Sequence, residues 1–181
     1  MLVETCIQDP KLIEISSRLG FQGYIVESRK LDEARWQGVK KRLTLVGDSQ
    51  VSPNTPIVFS KPLSRAQLVK VLNDIKIHGI SLDNDNFYLL KKNLLNLAKS
   101  KGKYIEIRLN SSSSSVIRRA IEWGYKGAKV IFSSCASRKS ELWAPLSLVN
   151  YLAFHGADMK DVITWVYTYP LELFKLVSDN S

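Results

Sequence analysis

The residues best suited to chemistry follow the last predicted strand of the chain. Cys135 lies in a run of small polar residues, and Arg138 and Lys139 come directly after that run. A nearby cation lowers the pKa of a thiol and favours the nucleophilic thiolate. A cysteine nucleophile also needs a neighbouring base, and the sequence places neither His78 nor His155 near it. We therefore interpret Cys135 as a small residue that fits a turn.

Metal chemistry has little support in the residue types. Each of the two histidines precedes a glycine at a predicted helix end, where the helix dipole favours it. The two cysteines follow no metal-binding spacing. Asp83 and Asp85 follow a predicted strand and could hold Mg²⁺ through water. A helix-capping loop is the favoured interpretation, because Asp and Asn are ordinary N-cap residues. We expect no metal or cofactor to be bound by the protein.

The cations indicate a polyanionic partner. The chain has 26 Lys and Arg against 17 Asp and Glu, a net charge of +9, and each phosphate that a protein neutralises releases counterions. Several cations follow strands, whose carboxyl ends meet on one face of a parallel sheet, and Trp36 or Trp143 could stack on a base there. The alternative is that the cations are scattered for solubility. The candidate nucleic-acid contacts are Arg29, Lys30, Lys40, Lys41, Arg42, Lys61, Arg65, Arg108, Arg138 and Lys139.

Short apolar runs alternate with amphipathic stretches along the whole chain, which predicts βαβ units and a largely parallel sheet in one domain spanning 1–181. About seven strands are compatible with an open doubly wound sheet or with a (β/α) barrel. Typical eight-fold barrels take roughly 250 residues, so a barrel here must be trimmed. The strands are predicted at 2–7, 24–26, 42–46, 56–59, 79–82, 104–109 and 128–132. The helices are predicted at 10–19, 30–40, 64–77, 86–99, 116–123, 145–155, 158–166 and 170–177.

The composition is that of an ordinary globular protein, with 45% apolar and 24% charged residues. No apolar run approaches the roughly 20 residues that span a bilayer. The first residues, MLVETCIQDP, have no basic n-region and do not read as a signal peptide. We expect a cytoplasmic protein with no membrane partner.

The C-terminal third resembles a known family. The stretch is VIFSSCASRKSELWAPLSLVNYLAFHGADMKDVITWVYTYPLELFKLV. It is similar to the end of ribonuclease P protein component 3, the archaeal counterpart of the eukaryotic thirty-kilodalton RNase P/MRP subunit. The matching features are a small polar run at 133–136, an acidic-to-proline motif at 141–147, a helix that ends in Gly156, and a closing proline at Pro170. Upstream of them, 120–124 also fits.

The sequence departs from the family pattern around the proline. The family carries an arginine before it, where this chain has Trp143, and an Arg-Asp pair after it, where this chain has Leu146 and Ser147. If those arginines bind RNA or a partner in relatives, either Arg138 or Lys139 substitutes for them or the contact is lost. We expect Trp143 to contact a partner or RNA. The first two-thirds of the chain match the family in organisation alone.

The resemblance implies a fold and a function. The fold is a trimmed TIM-like barrel, α/β, related to the PHP phosphoesterases, with about seven parallel strands. The implied function is that of a non-catalytic subunit of ribonuclease P, which binds RNase P RNA and supports 5′ maturation of precursor tRNA. The implied partners are a small RRM-like subunit and other RNase P proteins, and Mg²⁺ serves the RNA of the holoenzyme.

Two other functions remain open at the level of the sequence. One is a small α/β-barrel enzyme that acts on a phosphorylated metabolite, with Asp83 or Glu106 as general base. The other is a scaffold that binds protein alone through Trp143, Trp165 and neighbouring tyrosines near the C-terminus.

Overall fold

The sheet closes into a nearly complete parallel barrel. The computed structural model describes residues 1–27, 38–47 and 57–176. The strands are β1 (Val3–Ile7), β2 (Gly23–Val26), β3 (Val39–Val46), β4 (Ile57–Lys61), β5 (Gly79–Leu82), β6 (Tyr104–Arg108) and β7 (Lys129–Ser133). They pair in sequential order, and every pairing is parallel. Beyond β7, Ala136 bridges Ile7, and its carbonyl accepts a 2.9 Å hydrogen bond from the Gln8 amide. The predicted trimmed barrel is confirmed.

The described helices follow β1, β4, β5, β6 and β7. They are α1 (Ile13–Arg18), α2 (Arg65–Asn73), α3 (Lys92–Ser100), α4 (Ser114–Tyr125), α5 (Pro145–Phe154), α6 (Met159–Ile163) and α7 (Tyr169–Lys175). Asp9 and Ser64 cap as predicted, because their side chains accept from the amides of Lys11 and Gln67. Within the described residues, no helix is both long and apolar enough to cross a bilayer.

Several predicted boundaries differ from the structure. The helix expected from Asp85 or Asn86 is a 3-10 turn at Phe87–Leu89, and α3 begins only at Lys92. The predicted helix over 30–40 lies mostly outside the described residues, and Lys40 belongs to β3, which pairs with β2 from Val39 onward. Helix α4 was expected to end before Gly124 but continues to Tyr125. The glycine that follows its C-terminus, Gly127, has a positive φ of 79°.

The barrel is filled from its amino-terminal end by apolar side chains. Ile57 and Phe59 of β4 and Ile131 of β7 are fully buried there. Leu173 and Phe174 of α7 join the same cluster, and α7 contacts both β1 and β7. The C-terminal helix therefore plugs the barrel near the β1–β7 join. A second, larger cluster packs α2 to α6 against the outside of the sheet.

Two glycines are required by packing. A Cβ on Gly79 would lie 2.5 Å from the ring of Phe59 and 2.6 Å from the carbonyl oxygen of Tyr104. A Cβ on Gly124 would lie 2.2 Å from the ring of Trp165. Among the described residues, Trp165 is the largest fully buried side chain, and it sits in a π-helical turn, Thr164–Thr168, that joins α6 to α7. Gly124 thus leaves room for that indole against α4.

Candidate functional site

An ion pair occupies the centre of the barrel. The guanidinium of Arg42 on β3 lies 2.5 Å and 2.7 Å from the two carboxylate oxygens of Glu106 on β6, and both side chains have no exposure. The hydroxyls of Ser81 and Ser133 donate to the same carboxylate at 2.5 Å and 2.7 Å. Arg42 was predicted to contact RNA, but its guanidinium is fully buried and bound to Glu106, so it has no exposed surface to offer a ligand.

This pair is held in its charged form. Burial raises the pKa of Glu106, but the charge of Arg42 and the hydrogen bonds from Arg42, Ser81 and Ser133 outweigh it, and the net pKa is lowered. Arg42 also donates to the Thr5 carbonyl at 2.8 Å and stacks 4.4 Å above the centre of the Phe59 ring. The network ties β1, β3, β5, β6 and β7 together. Its role is structural, because Glu106 has no open side to offer a substrate.

A second buried carboxylate, that of Glu4, lies where β1 meets the end of β7. It accepts from the Ser134 hydroxyl at 2.6 Å and from the amides of Cys6 and Ser134 at 3.0 Å and 3.2 Å. Burial raises its pKa to about 7, against these lowering hydrogen bonds. Glu4 therefore joins β1 to the segment that follows β7, through a carboxyl group whose pKa is raised into the neutral range.

The two cysteines lie beside the ion pair and are buried and reduced. Cys6, Glu106 and Cys135 have potential ligand atoms within 4.8 Å of one another. Burial raises the pKa of the Cys135 thiol, and metal binding requires a thiolate. Arg42 already neutralises Glu106. The residues present are therefore poorly matched to a divalent ion.

Cys135 does occupy a turn, as predicted. Its φ of 46° is the one positive value for a non-glycine residue among the described residues. The Asn110 side-chain amide donates to the Cys135 carbonyl at 2.8 Å and fixes the turn. A buried thiol with a raised pKa is a weak nucleophile, so the structure gives no support to catalysis at this position.

The loop after β5 is organised around Asp83. Its carboxylate accepts from Lys61 at 2.6 Å and from the Ser111 hydroxyl at 3.2 Å. Its other oxygen accepts from the Asp85 amide at 3.0 Å, and Lys61 reaches Asp85 as well, at 3.2 Å. Asp83 thus orders this loop instead of capping a helix, and Lys61 is tied to two carboxylates at the carboxyl end of β4.

The remaining predicted contacts are only partly brought together. Arg108 ends β6 half-buried, Arg65 and Lys139 are exposed, and Arg138 pairs with Glu141 at 2.9 Å. These residues share the carboxyl-end face with Lys61, but carboxylates are interleaved with them. Lys40 and Lys41 lie half-buried in the first half of β3. Arg29, Lys30 and Trp36 fall outside the described residues.

Trp143 lies on the same side of the molecule as Arg138, in the loop that opens α5. It is half-buried, and its ring centre is 4.8 Å from that of Tyr151. Its amide donates to the Ser134 hydroxyl at 3.2 Å, which links it to Glu4. The RNA or partner contacts of Trp143 and of the exposed cations remain predictions.

Comparison with solved structures gives an informative match. No protein-family model matches the chain, and no curated protein does. Among solved structures, it is similar to a chain from the cryo-EM structure of archaeal ribonuclease P with mature tRNA. The TM-score is 0.75 at 14% sequence identity, and the match covers 98% of this chain and 94% of that one. The two chains therefore share the fold over nearly their whole length.

Proposed function

We propose that this chain is a protein subunit of ribonuclease P. The observation that carries the proposal is the fold match, over 98% of the chain, to a component of an RNase P assembly that contains tRNA. The C-terminal resemblance to ribonuclease P protein component 3 points to the same assembly independently. The net charge of +9 favours an RNA partner.

The finer assignment is to component 3. In this role the protein binds RNase P RNA, pairs with a small RRM-like subunit and other RNase P proteins, and supports removal of the 5′ leader of precursor tRNA. The cleavage and its Mg²⁺ belong to the RNA, and the protein alone is inactive. We propose a cytoplasmic location and an archaeal-type assembly on the same grounds.

The enzymatic alternative is not favoured by the site. Its two candidate bases were Asp83 and Glu106. Glu106 is fully buried and is held by Arg42 and two serines, while Asp83 is nearly fully buried and bonded to Lys61. A general base must come within hydrogen-bond reach of its substrate proton. These two carboxylates are buried and already accept hydrogen bonds from other side chains of the protein.

RNA titration tests the proposal. We expect the protein, alone or with its RRM-like partner, to bind RNase P RNA at low salt. We expect the affinity to fall steeply as salt rises, because phosphate contacts release counterions. Fluorescence anisotropy between about 50 and 200 mM salt measures both. Absence of binding at low salt in both forms would contradict the proposal.

A further inference from the structure

A basic groove lies on the outside of the barrel, beside α3 and the turn that precedes it. It runs between α3 and α4 and has a volume of about 780 Å³. Five cations line it, and no acidic residue does. They are Lys91, Lys92, Lys99, Arg119 and Lys126, and all five are exposed.

The two helices present these cations by their spacing. Lys92 and Lys99 are seven residues apart on α3, and Arg119 and Lys126 are seven apart along α4 and its C-cap. Residues seven apart share one face of a helix. Arg119 is paired with Glu122 at 2.7 Å. The four lysines form no ion pair with any residue that the structure describes, so their charge is available to a ligand.

The groove also offers apolar surface. Its floor includes the buried side chains of Leu90, Leu95 and Trp123. At its edge the ring of Tyr88 is 59% exposed and rests edge-on against Phe87, with ring centres 6.4 Å apart. An exposed aromatic ring beside a row of cations is the combination that binds single-stranded nucleic acid, by base stacking and phosphate contacts.

We propose that this groove is the surface by which the chain binds RNA. The four lysines contact phosphates of a single-stranded segment, and an unpaired base stacks on Tyr88. The proposal rests on the proposed function and assigns the main RNA contact to the cations of α3 and α4 instead of those that follow the strands. At that end, Asp83, Asp85 and Glu141 offset Lys61 and Arg138, whereas the groove lining has no carboxylate.

A triple variant tests the cations. Lys92→Ala, Lys99→Ala and Lys126→Ala remove three charges from the groove, and we expect RNase P RNA to bind at least about tenfold more weakly near 0.1 M salt. The slope of log affinity against log salt should fall by about 2, at about 0.7 for each lost contact to a single strand. The matched control removes three exposed lysines from other elements, namely Lys11, Lys160 and Lys175. It should bind within twofold of wild type.

The aromatic contact has its own test. Tyr88→Ala should weaken binding of a single-stranded oligouridylate about fivefold or more, because base stacking on an aromatic ring is lost. Tyr88→Phe keeps the ring and should bind as wild type does. Both variants should unfold at the wild-type temperature, because the side chain is largely exposed.

The outcomes separate this proposal from the one on which it rests. If wild type binds RNA and the groove variant binds equally well, the groove proposal is overturned while the RNase P assignment stands. If the groove variant keeps RNA binding but loses the partner subunit in pull-down, the groove holds an acidic protein and the proposal is again overturned. If wild type binds no RNA, the RNase P assignment itself fails.

Discussion

Replacing Arg42 with methionine is expected to destabilise the protein by about 3–5 kcal/mol at neutral pH, because the substitution leaves an unpaired buried charge. Methionine fills a similar volume but carries no positive charge. Glu106 therefore loses the two hydrogen bonds from the guanidinium, at 2.5 and 2.7 Å. The Thr5 carbonyl and the Phe59 ring lose contacts as well. Chemical denaturation at pH 7 measures the loss of unfolding free energy.

A double-mutant cycle separates the interaction energy of the ion pair from the effects of losing each side chain. Glu106→Gln leaves Arg42 buried without a carboxylate and should also be strongly destabilising. The double variant Arg42→Met with Glu106→Gln buries no net charge and should be more stable than the sum of the two single losses predicts. A loss below about 1 kcal/mol in Arg42→Met would show that the pair is open to water.

The pH dependence of the Arg42 variant has a defined sign. In wild type the folded-state pKa of Glu106 is lowered. Its contribution to the unfolding free energy is therefore fully present above the pKa of the unfolded state. That contribution is lost as pH falls through the folded-state pKa. Without Arg42, burial raises the pKa of Glu106, and stability is lost as pH rises. The deficit of Arg42→Met relative to wild type should therefore shrink from pH 7 towards pH 4.5. A deficit that stays constant over this range would contradict the charged pair.

Glu4→Gln should stabilise the protein at alkaline pH. The folded pKa of Glu4 is about 7 against an ordinary value of 4.5, so the folded state favours the protonated form. Its stabilising contribution is full below pH 4.5 and is lost as pH rises through 7. The shift corresponds to about 3 kcal/mol. Glutamine stays neutral at every pH, and its amide oxygen can still accept from the amides of Cys6 and Ser134. Its stability should therefore not fall as pH rises through 7.

The experiment compares unfolding free energies of wild type and Glu4→Gln from pH 5 to pH 8. The two should be similar at pH 5, and the variant should be more stable by up to about 3 kcal/mol at pH 8. Taking the difference cancels other groups that titrate in this range, including His78, whose pKa is lowered by burial. A difference that does not change with pH would show that Glu4 is ionised in the folded protein at pH 5.

Much of the barrel could be predicted from the sequence, because its strands are short buried apolar runs separated by amphipathic helices. The run Ile105-Glu106-Ile107 illustrates the limit. It reads as a strand, but periodicity does not say that the carboxylate meets Arg42, which is 64 positions away. The partner depends on barrel closure and strand register, which arise from tertiary pairing.

The helix ends and the groove were harder to predict for local reasons. Asp83 resembles an N-cap residue. Its carboxylate instead accepts hydrogen bonds from Lys61 and Ser111, which are distant in the sequence. The groove cations are spread over two helices, and nothing in their spacing says that α3 and α4 are neighbours. The sequence does contain one relevant pattern. Lys92 and Lys99 are seven residues apart, as are Arg119 and Lys126, and this spacing places each pair on one helix face.

Reconstitution of precursor-tRNA cleavage tests the central claim most directly. RNase P RNA is assayed at moderate Mg²⁺ with the RRM-like subunit, with and without this protein, and the release of the 5′ leader is measured. The account predicts faster cleavage when both proteins are present, and no cleavage by the proteins without RNA. Cleavage rates that are unchanged by this protein, with and without the partner, would contradict it.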